Sequence, residues 1–449
     1  MSTGGGRIGP RRVIRLVLVC AIAVLVVGLA AANPSALPGA DAEDERDYEA
    51  PPRPAGTAIS LQEGELLVFQ PDGSLRYRND SHDSYWDVDV TNGANGTGNE
   101  TLLYTASDEL SSAPVCEPIG PRNACLRQTI ERVNLTTGEV TRLHTRITPR
   151  AGSSEWHDID RLNATHGIVA DMYADRVFVV EYRTGLVTWE WDAQAAYPLS
   201  SGGLYPSDWT HLNDVEVLPD GRIMVSLRNQ DQVAFVHPNG TLDEEWTLGT
   251  DDNHDVLYEQ HNPDYIQGAG GNGSAVLIAD SEQNRVVEFR REAGEWEQSW
   301  VWQNADTQWP RDADRLPNGH TLITNTHDNS VLEIDQSGEV VWEISVAYPY
   351  DVERLGTGDE SAGGPTATEA NLDSRRDDPS ESETPIRDRV KALFPARWVN
   401  GLISVLPRWV GLFDLVALGV LGVAIVTWAI LEWRWARVTL QLPIRFRER

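Results

Sequence analysis

From residue 57 to residue 355 apolar residues alternate with polar ones in short runs, and no stretch keeps a helical period. Four blocks of this region can be laid over one another: "WHDIDRLNATHGIVADMYADRVFVVEYRTGLVTWEW", "LNDVEVLPDGRIMVSLRNQDQVAFVHPNGTLDEEW", "QHNPDYIQGAGGNGSAVLIADSEQNRVVEFRREAGEWEQSW" and "PRDADRLPNGHTLITNTHDNSVLEIDQSGEVVWEI". Each reads as strand, turn, strand, loop, strand, turn, strand, with a Trp near its end. A looser copy starts at "YWDVDV" and carries an insertion with Cys116 and Cys125, and a sixth starts at "YPYDVERL" and breaks off. Its missing strands have a source in "TAISLQEGELLVFQPDGSLRYR", which has the strand pattern but no leading Asp motif. Repeats of roughly 40 to 50 residues with four strands each predict an all-β, six-bladed β-propeller. Pairing the N-terminal strands with the last start closes the ring and hides its edges. Trp189, Trp246, Trp300 and Trp342 are expected to pack between blades.

Two apolar segments flank this body. The first, 13–32, follows Arg7, Arg11 and Arg12, and the second, 414–433, precedes Arg434, Arg437, Arg445, Arg447 and Arg449. Both are long enough to cross a bilayer, and arginine on the outer flank of each predicts cytoplasmic termini and an extracellular propeller at the cell membrane. The alternative for the first is a cleaved signal, because "LAAANPSA" offers small residues to a peptidase. The chain thus divides into a basic N-terminus (1–12), a transmembrane helix or signal anchor (13–32), a linker (33–56) and the propeller (57–355). After these come a disordered acidic linker (356–384), an amphipathic juxtamembrane segment (385–413), a transmembrane helix (414–433) and a basic cytoplasmic tail (434–449).

Charge narrows the function classes. The formal net charge is -31, from 68 acidic against 37 basic residues, so nucleic acid would be repelled. Lys391 is the only lysine, which removes the P-loop and Schiff-base chemistries from the propeller. An acidic, lysine-poor composition resembles that of secreted or surface proteins of salt-loving microbes. Cys116 and Cys125 are placed for a disulfide, and sequons at Asn79, Asn95, Asn99, Asn134, Asn163, Asn239 and Asn272 agree with a glycosylated, outward-facing chain.

In a propeller the innermost strand of each blade lines the central channel, so equivalent positions converge on the axis. An acidic slot recurs near the start of that strand, at Asp87, Asp158, Asp214, Asn262, Asp312 and Asp351. Its recurrence predicts architecture, with carboxylates accepting backbone N–H groups in a turn. The residue before the slot changes from copy to copy: Trp86, His157, Asn213, His261, Arg311 and Tyr350. His211 lies two residues further back in the third copy, and Arg228 ends the neighbouring strand. Such an array predicts one shared pocket. His82, His144, His166, His237, His254, His320 and His327 are read as polar surface residues.

The pocket inventory is cationic and nearly free of spare carboxylates, which suits an anion with charge spread over several oxygens. Three imidazoles can ligate zinc, but Arg228 and Arg311 would repel a cation, and no HExxH helix or CxxC pair is present, so no metal or cofactor is expected. There is no G-x-S-x-G elbow for a serine hydrolase, and no calcium loop for a quinone-dependent propeller dehydrogenase. "DWTHLNDVEVLPDGRIMVSLRNQDQVAFV", with upstream "WHDID" and downstream "EQHNPDYI", resembles the bacterial arylsulfate sulfotransferases, six-bladed propellers that move a sulfuryl group between phenols without a nucleotide donor. The resemblance covers residues 80 to 355. It implies that His261 is the nucleophile, forming a sulfohistidine, with His211 and Arg228 acting beside it. It also implies that His157, His211, Asn213 and Arg228 hold the sulfuryl oxygens. Arg311 joins them as a substrate contact, and Trp86 and Tyr350 can stack on the aryl ring. The expected partners are an aryl sulfate, a phenol and membrane lipid. The family's N-terminal β-sandwich has no room before residue 57, so its dimerisation and substrate range do not carry over. The alternative is a non-catalytic surface propeller that binds an anionic glycan or peptide in the same pocket.

Overall fold

The structure is a computed structural model that describes residues 10–32, 48–91, 101–111, 113–119, 124–149, 154–268, 273–304, 306–376, 395–403 and 412–436. They form two compact units, one spanning Asp47–Asn400 and the other made of Met1–Arg46 with Gly401–Arg449.

The larger unit is a six-bladed propeller. Blades 1 to 5 follow the chain and start from the inner strands Ser84–Thr91, Trp156–Asp160, Leu212–Val217, His261–Ile266 and Pro310–Asp312. Blade 6 is composite: the inner strand Pro349–Arg354 pairs with Thr57–Leu61, and Glu65–Phe69 and Leu75–Asn79 complete the sheet. The N-terminal strands therefore close the ring as expected. Apolar faces of neighbouring sheets meet in clusters such as Val179, Trp191, Val215 and Val225 between blades 2 and 3. The tryptophans span the same seams, with Trp189 Nε1 donating to Pro238 O at 2.9 Å and Trp342 Nε1 to Pro51 O at 2.8 Å. In blade 1 two long strands, Thr101–Ser111 and Ala124–Asn134, pair side by side, and the Cys116–Cys125 disulfide ties the turn Pro114–Cys116 that follows the first to the start of the second.

The acidic slots are structural, but not through turns. Asp351 accepts the N–H of Val88, Asp87 that of Ile159, Asp158 that of Val215 and Asp312 that of Val352. Each carboxylate thus takes the backbone donor just after the slot in the next blade, tying inner strand to inner strand. The pattern skips both seams of blade 4. The residue after Asn262 is Pro263, which has no N–H to give. Asp214 Oδ2 and Asn262 Oδ1 have no hydrogen-bond partner among the described residues.

Two residues further along lies a second acidic ring, Asp89, Asp160, Glu216, Asp264, Asp314 and Glu353, of which Asp160 and Glu216 are half-buried and the rest buried. The segment after blade 6 crosses the channel there. Asp359 accepts Val90 N–H, and Ser361 donates to Asp264. Residues 356–376 are therefore not the disordered linker expected from composition. Thr366 caps the short helix Ala367–Ala370 (α2), and Arg375–Arg376 adds a fifth, parallel strand to blade 4. Residues 377–384 of that segment lie outside the described residues.

In the smaller unit, the helix Pro10–Ala32 (α1) contacts the helix Leu412–Ala436 (α4), with Arg15 donating to the Glu432 carboxylate. The expectation of two membrane-crossing helices is supported for one. Among the described residues only Leu415–Trp435 has the length and hydropathy, whereas Val13–Gly28 is a shorter apolar run.

The acidic rings make stability depend on pH. Burial, with repulsion from neighbouring carboxylates, pushes Asp158 up to about 8 and Asp264 up to about 7. Asp87 bonds Asp158 and Asp351, and Asp264 bonds Asp314, so each such carboxyl pair shares a proton. A raised carboxyl makes the folded state hold more protons than the unfolded chain, so its contribution is complete below pH 4 and is lost as pH rises through the folded value. Stability at constant salt should therefore fall from about pH 4 to about pH 8 and level off above, by up to about 1.4 kcal/mol per pH unit for each such group. Asp264→Asn should flatten the slope. An unfolding midpoint that rises over this interval would contradict the reading.

Candidate active site

The site is built from two registers of the inner strands, one residue and three residues before the acidic slot. Alternation along a strand puts both on one side, facing the axis. The nearer register carries Trp86, His157, Asn213, His261, Arg311 and Tyr350; the farther one carries His211, Glu259, Trp309 and Tyr348 in blades 3 to 6. These four residues have φ between 47° and 52°, a left-handed conformation rare for side chains of this size. An Asp or Asn at the turn of the preceding blade holds each in place. Asp231 accepts Glu259 N–H, Asn284 accepts Trp309 N–H and Asn329 accepts Tyr348 N–H, at 2.8 to 3.1 Å. Asp175 does the same for Thr210, just before His211.

The three predicted histidines converge. Ring centroids are 5.9 Å apart for His157 and His211 and 6.3 Å for His211 and His261. Trp86 stacks on His157 at 4.2 Å, and the Tyr350 hydroxyl is 2.8 Å from His157 Nδ1. Arg311 lies over the Tyr350 ring and donates to Gln62. The aromatic pair Trp86 and Tyr350 thus packs on a histidine and an arginine.

Hydrogen bonds set the tautomers of two imidazoles. His261 Nδ1 is 2.8 Å from Ser281 Oγ, and that hydroxyl donates to Pro310 O at 2.6 Å. With its proton committed to a carbonyl, Ser281 must accept from His261, so Nδ1 carries hydrogen and Nε2 keeps its lone pair. His211 Nδ1 bonds the Asp208 carboxylate at 2.7 Å, which likewise leaves Nε2 as the basic nitrogen. Burial, then the charges of Arg311 and Arg228, hold His261 well below the ordinary imidazole value, and burial with Arg228 brings His211 down to about 4. The imidazoles are neutral at physiological pH.

The inventory differs from the expected one in three respects. Carboxylates are present: Asp208 on His211 and Glu259 on Arg228. Asn213 donates to Gln260 O at 3.0 Å, and its unpaired buried atom is Oδ1, an acceptor, so a hydroxyl fits there better than a sulfuryl oxygen. His82 and His327 are not surface residues: His82 is buried between Asp108 and Glu131, and His327 stacks on Trp309 at 4.9 Å in the site wall. Against these acceptors stand buried donors without partners among the described residues: Arg228 Nε, Arg311 Nε and Trp309 Nε1. Buried donors are ordinarily satisfied, so this set matches a ligand rich in acceptor oxygens. A cleft of about 430 Å³ opens beside Arg228, with His254 and Tyr258 stacked in its wall. Among the described residues, the grouping able to hold a cation is not made of the histidines but of Asp264, Asp312 and Asp314 in the channel, with oxygens within 4.8 Å of one another.

Solved structures similar to this chain include a protein of unknown function from Bacteroides caccae (TM-score 0.43, 13% identity, covering 68% of this chain and 99% of that one). Others are the periplasmic gluconolactonase of Pseudomonas aeruginosa (0.41, 14%, 68% and 99%) and virginiamycin B lyase from Staphylococcus aureus (0.39, 10%, 66% and 83%). Likeness at this level carries no inference about activity. Comparison with curated proteins gave no match. Residues 188–347, which include His211, Asn213, Arg228, His261 and Arg311, match the family model described as arylsulfotransferase (ASST).

Proposed function

We propose that this propeller transfers a sulfuryl group from an aryl sulfate to a phenol through a covalent intermediate on His261. The observation that carries the reading is the pairing of His261 Nδ1 with Ser281, which leaves Nε2 as the basic nitrogen of a neutral imidazole whose ring lies 6.3 Å from Trp309 and near enough to Arg311 and Arg228 to feel their charges. In the first half-reaction Nε2 attacks sulfur, the N–S bond forms and the S–O bond to the aryl group breaks, releasing a phenoxide. Arg228, Arg311 and Trp309 donate to the sulfuryl oxygens, where charge is spread in the transition state. In the second half-reaction the acceptor oxygen attacks the same sulfur, the N–S bond breaks, and the acceptor's proton passes to His211 Nε2. That proton is the one the next departing phenoxide receives. Asn213 Oδ1 orients the acceptor hydroxyl, and Trp86 and Tyr350 hold His157 and Arg311 in place. The Cys116–Cys125 disulfide and the arginines that follow α4 support an exterior propeller anchored in the cell membrane.

Incubation with an aryl sulfate should yield a sulfuryl adduct on His261, detectable by mass spectrometry of rapidly quenched protein. His261→Ala should lose the adduct and all transfer. Binding of the aryl sulfate by wild-type protein with no adduct on any residue would instead leave an anion-binding propeller.

Ser281→Ala removes the acceptor that fixes the tautomer without touching the substrate. Its kcat is expected to fall about tenfold, the equivalent of one hydrogen bond of ~1.4 kcal/mol, with KM unchanged. Ser281→Thr should recover most of the loss, and a KM effect alone would show that Ser281 does not act through His261.

A further inference from the structure

The helix Ala396–Ile403 (α3) reaches the propeller from far along the chain and seats on the histidine end of it. Asn400 is wholly buried and Val399 nearly so. The Asn400 amide donates to Glu282 at 3.1 Å and to Asn284 at 3.3 Å, and its carbonyl oxygen accepts from Gln308. Asn284 is the residue that holds Trp309 in its left-handed conformation, and Trp309 lies 6.3 Å from His261. One buried side chain of α3 therefore plugs into the turn that aims a site residue.

The opposite face of α3 is different. Trp398 is 68% exposed, and Leu402, one turn on, is 46% exposed. An exposed tryptophan of this extent loses the burial that its large ring ordinarily gains in water. The chain itself says what covers it. Only residues 404–411 separate α3 from α4, and even fully extended they reach roughly 30 Å. The apolar core of α4, Leu415–Trp435, is long enough to cross a bilayer. Tryptophan is the side chain favoured at the boundary between lipid and water.

We propose that the Trp398 and Leu402 face of α3 lies on a lipid bilayer, and that α3 thereby presents the histidine end of the propeller to hydroxylated amphiphiles carried in that bilayer. The substrate part rests on the sulfuryl-transfer reading; the lipid contact does not.

The test uses full-length protein reconstituted in phosphatidylcholine vesicles. A nitroxide at Trp398→Cys, on a Cys20→Ser background, should collide with dissolved oxygen more than with a water-soluble nickel chelate, the reverse of a control label at Leu186→Cys. Equal water access at both positions would overturn the lipid contact. In the same vesicles Trp398→Ser should lower transfer to a long-chain alkylphenol about tenfold and leave transfer to a water-soluble phenol unchanged. Equal loss on both acceptors would refute the role in presenting substrate. If wild-type protein sulfates neither acceptor, the transfer reading fails, and the label alone decides whether α3 lies on lipid.

Discussion

A buried carboxylate that accepts the backbone N–H of the neighbouring blade links inner strand to inner strand around the propeller. The bond is cheap in sequence, one Asp per repeat, and it fixes the angular position of each inner strand relative to the next. The same convergence crowds acids together at the axis. Asp87, Asp158, Asp312 and Asp351 meet in a space where they cannot all be ionised, and they share protons among themselves. What clamps the ring is therefore also what makes it sensitive to alkali.

The site sits on this clamp. With the slot residue fixed, the positions one and three before it point inward, and the turn Asp or Asn of the preceding blade holds the farther one in a left-handed bend. Side chains from all six blades are thereby brought to one place, and buried hydrogen bonds to Ser281 and Asp208 choose the nitrogen that each of two imidazoles offers. Burial keeps those imidazoles neutral beside two guanidinium groups. Neutral nucleophile and fixed cations can then coexist in one pocket.

Much of this was legible in the chain. Repeat length and strand alternation define the ring, and the N-terminal strands without an acidic motif show how it closes. The variable position before the slot located His157, Asn213, His261, Arg311 and Tyr350. The farther register was legible too, since His211, Glu259, Trp309 and Tyr348 recur with a strand's period, but only His211 stood out because glutamate and aromatics look ordinary in an edge. The turn residues Asp175, Asp231, Asn284 and Asn329 precede a strand in consecutive repeats and looked like generic turn formers, because their partner lies in another blade. Residues 356–376 were misread for a related reason: their polar atoms are satisfied inside the channel and along blade 4, and composition does not reveal which polar residues find buried partners.

Pro263 has no N–H to offer Asp214 at the seam before the blade that carries His261, and Asn262 stands in place of a carboxylate at the seam after it, while the other four seams keep their bonds. Natural variation can exploit that gap. Substitutions in blade 4 and its two borders disturb none of the slot bonds that hold the remaining seams, so the shape and polarity of this sector can change while those bonds stay in place. A lineage adapting to a new substrate has its freest hand there.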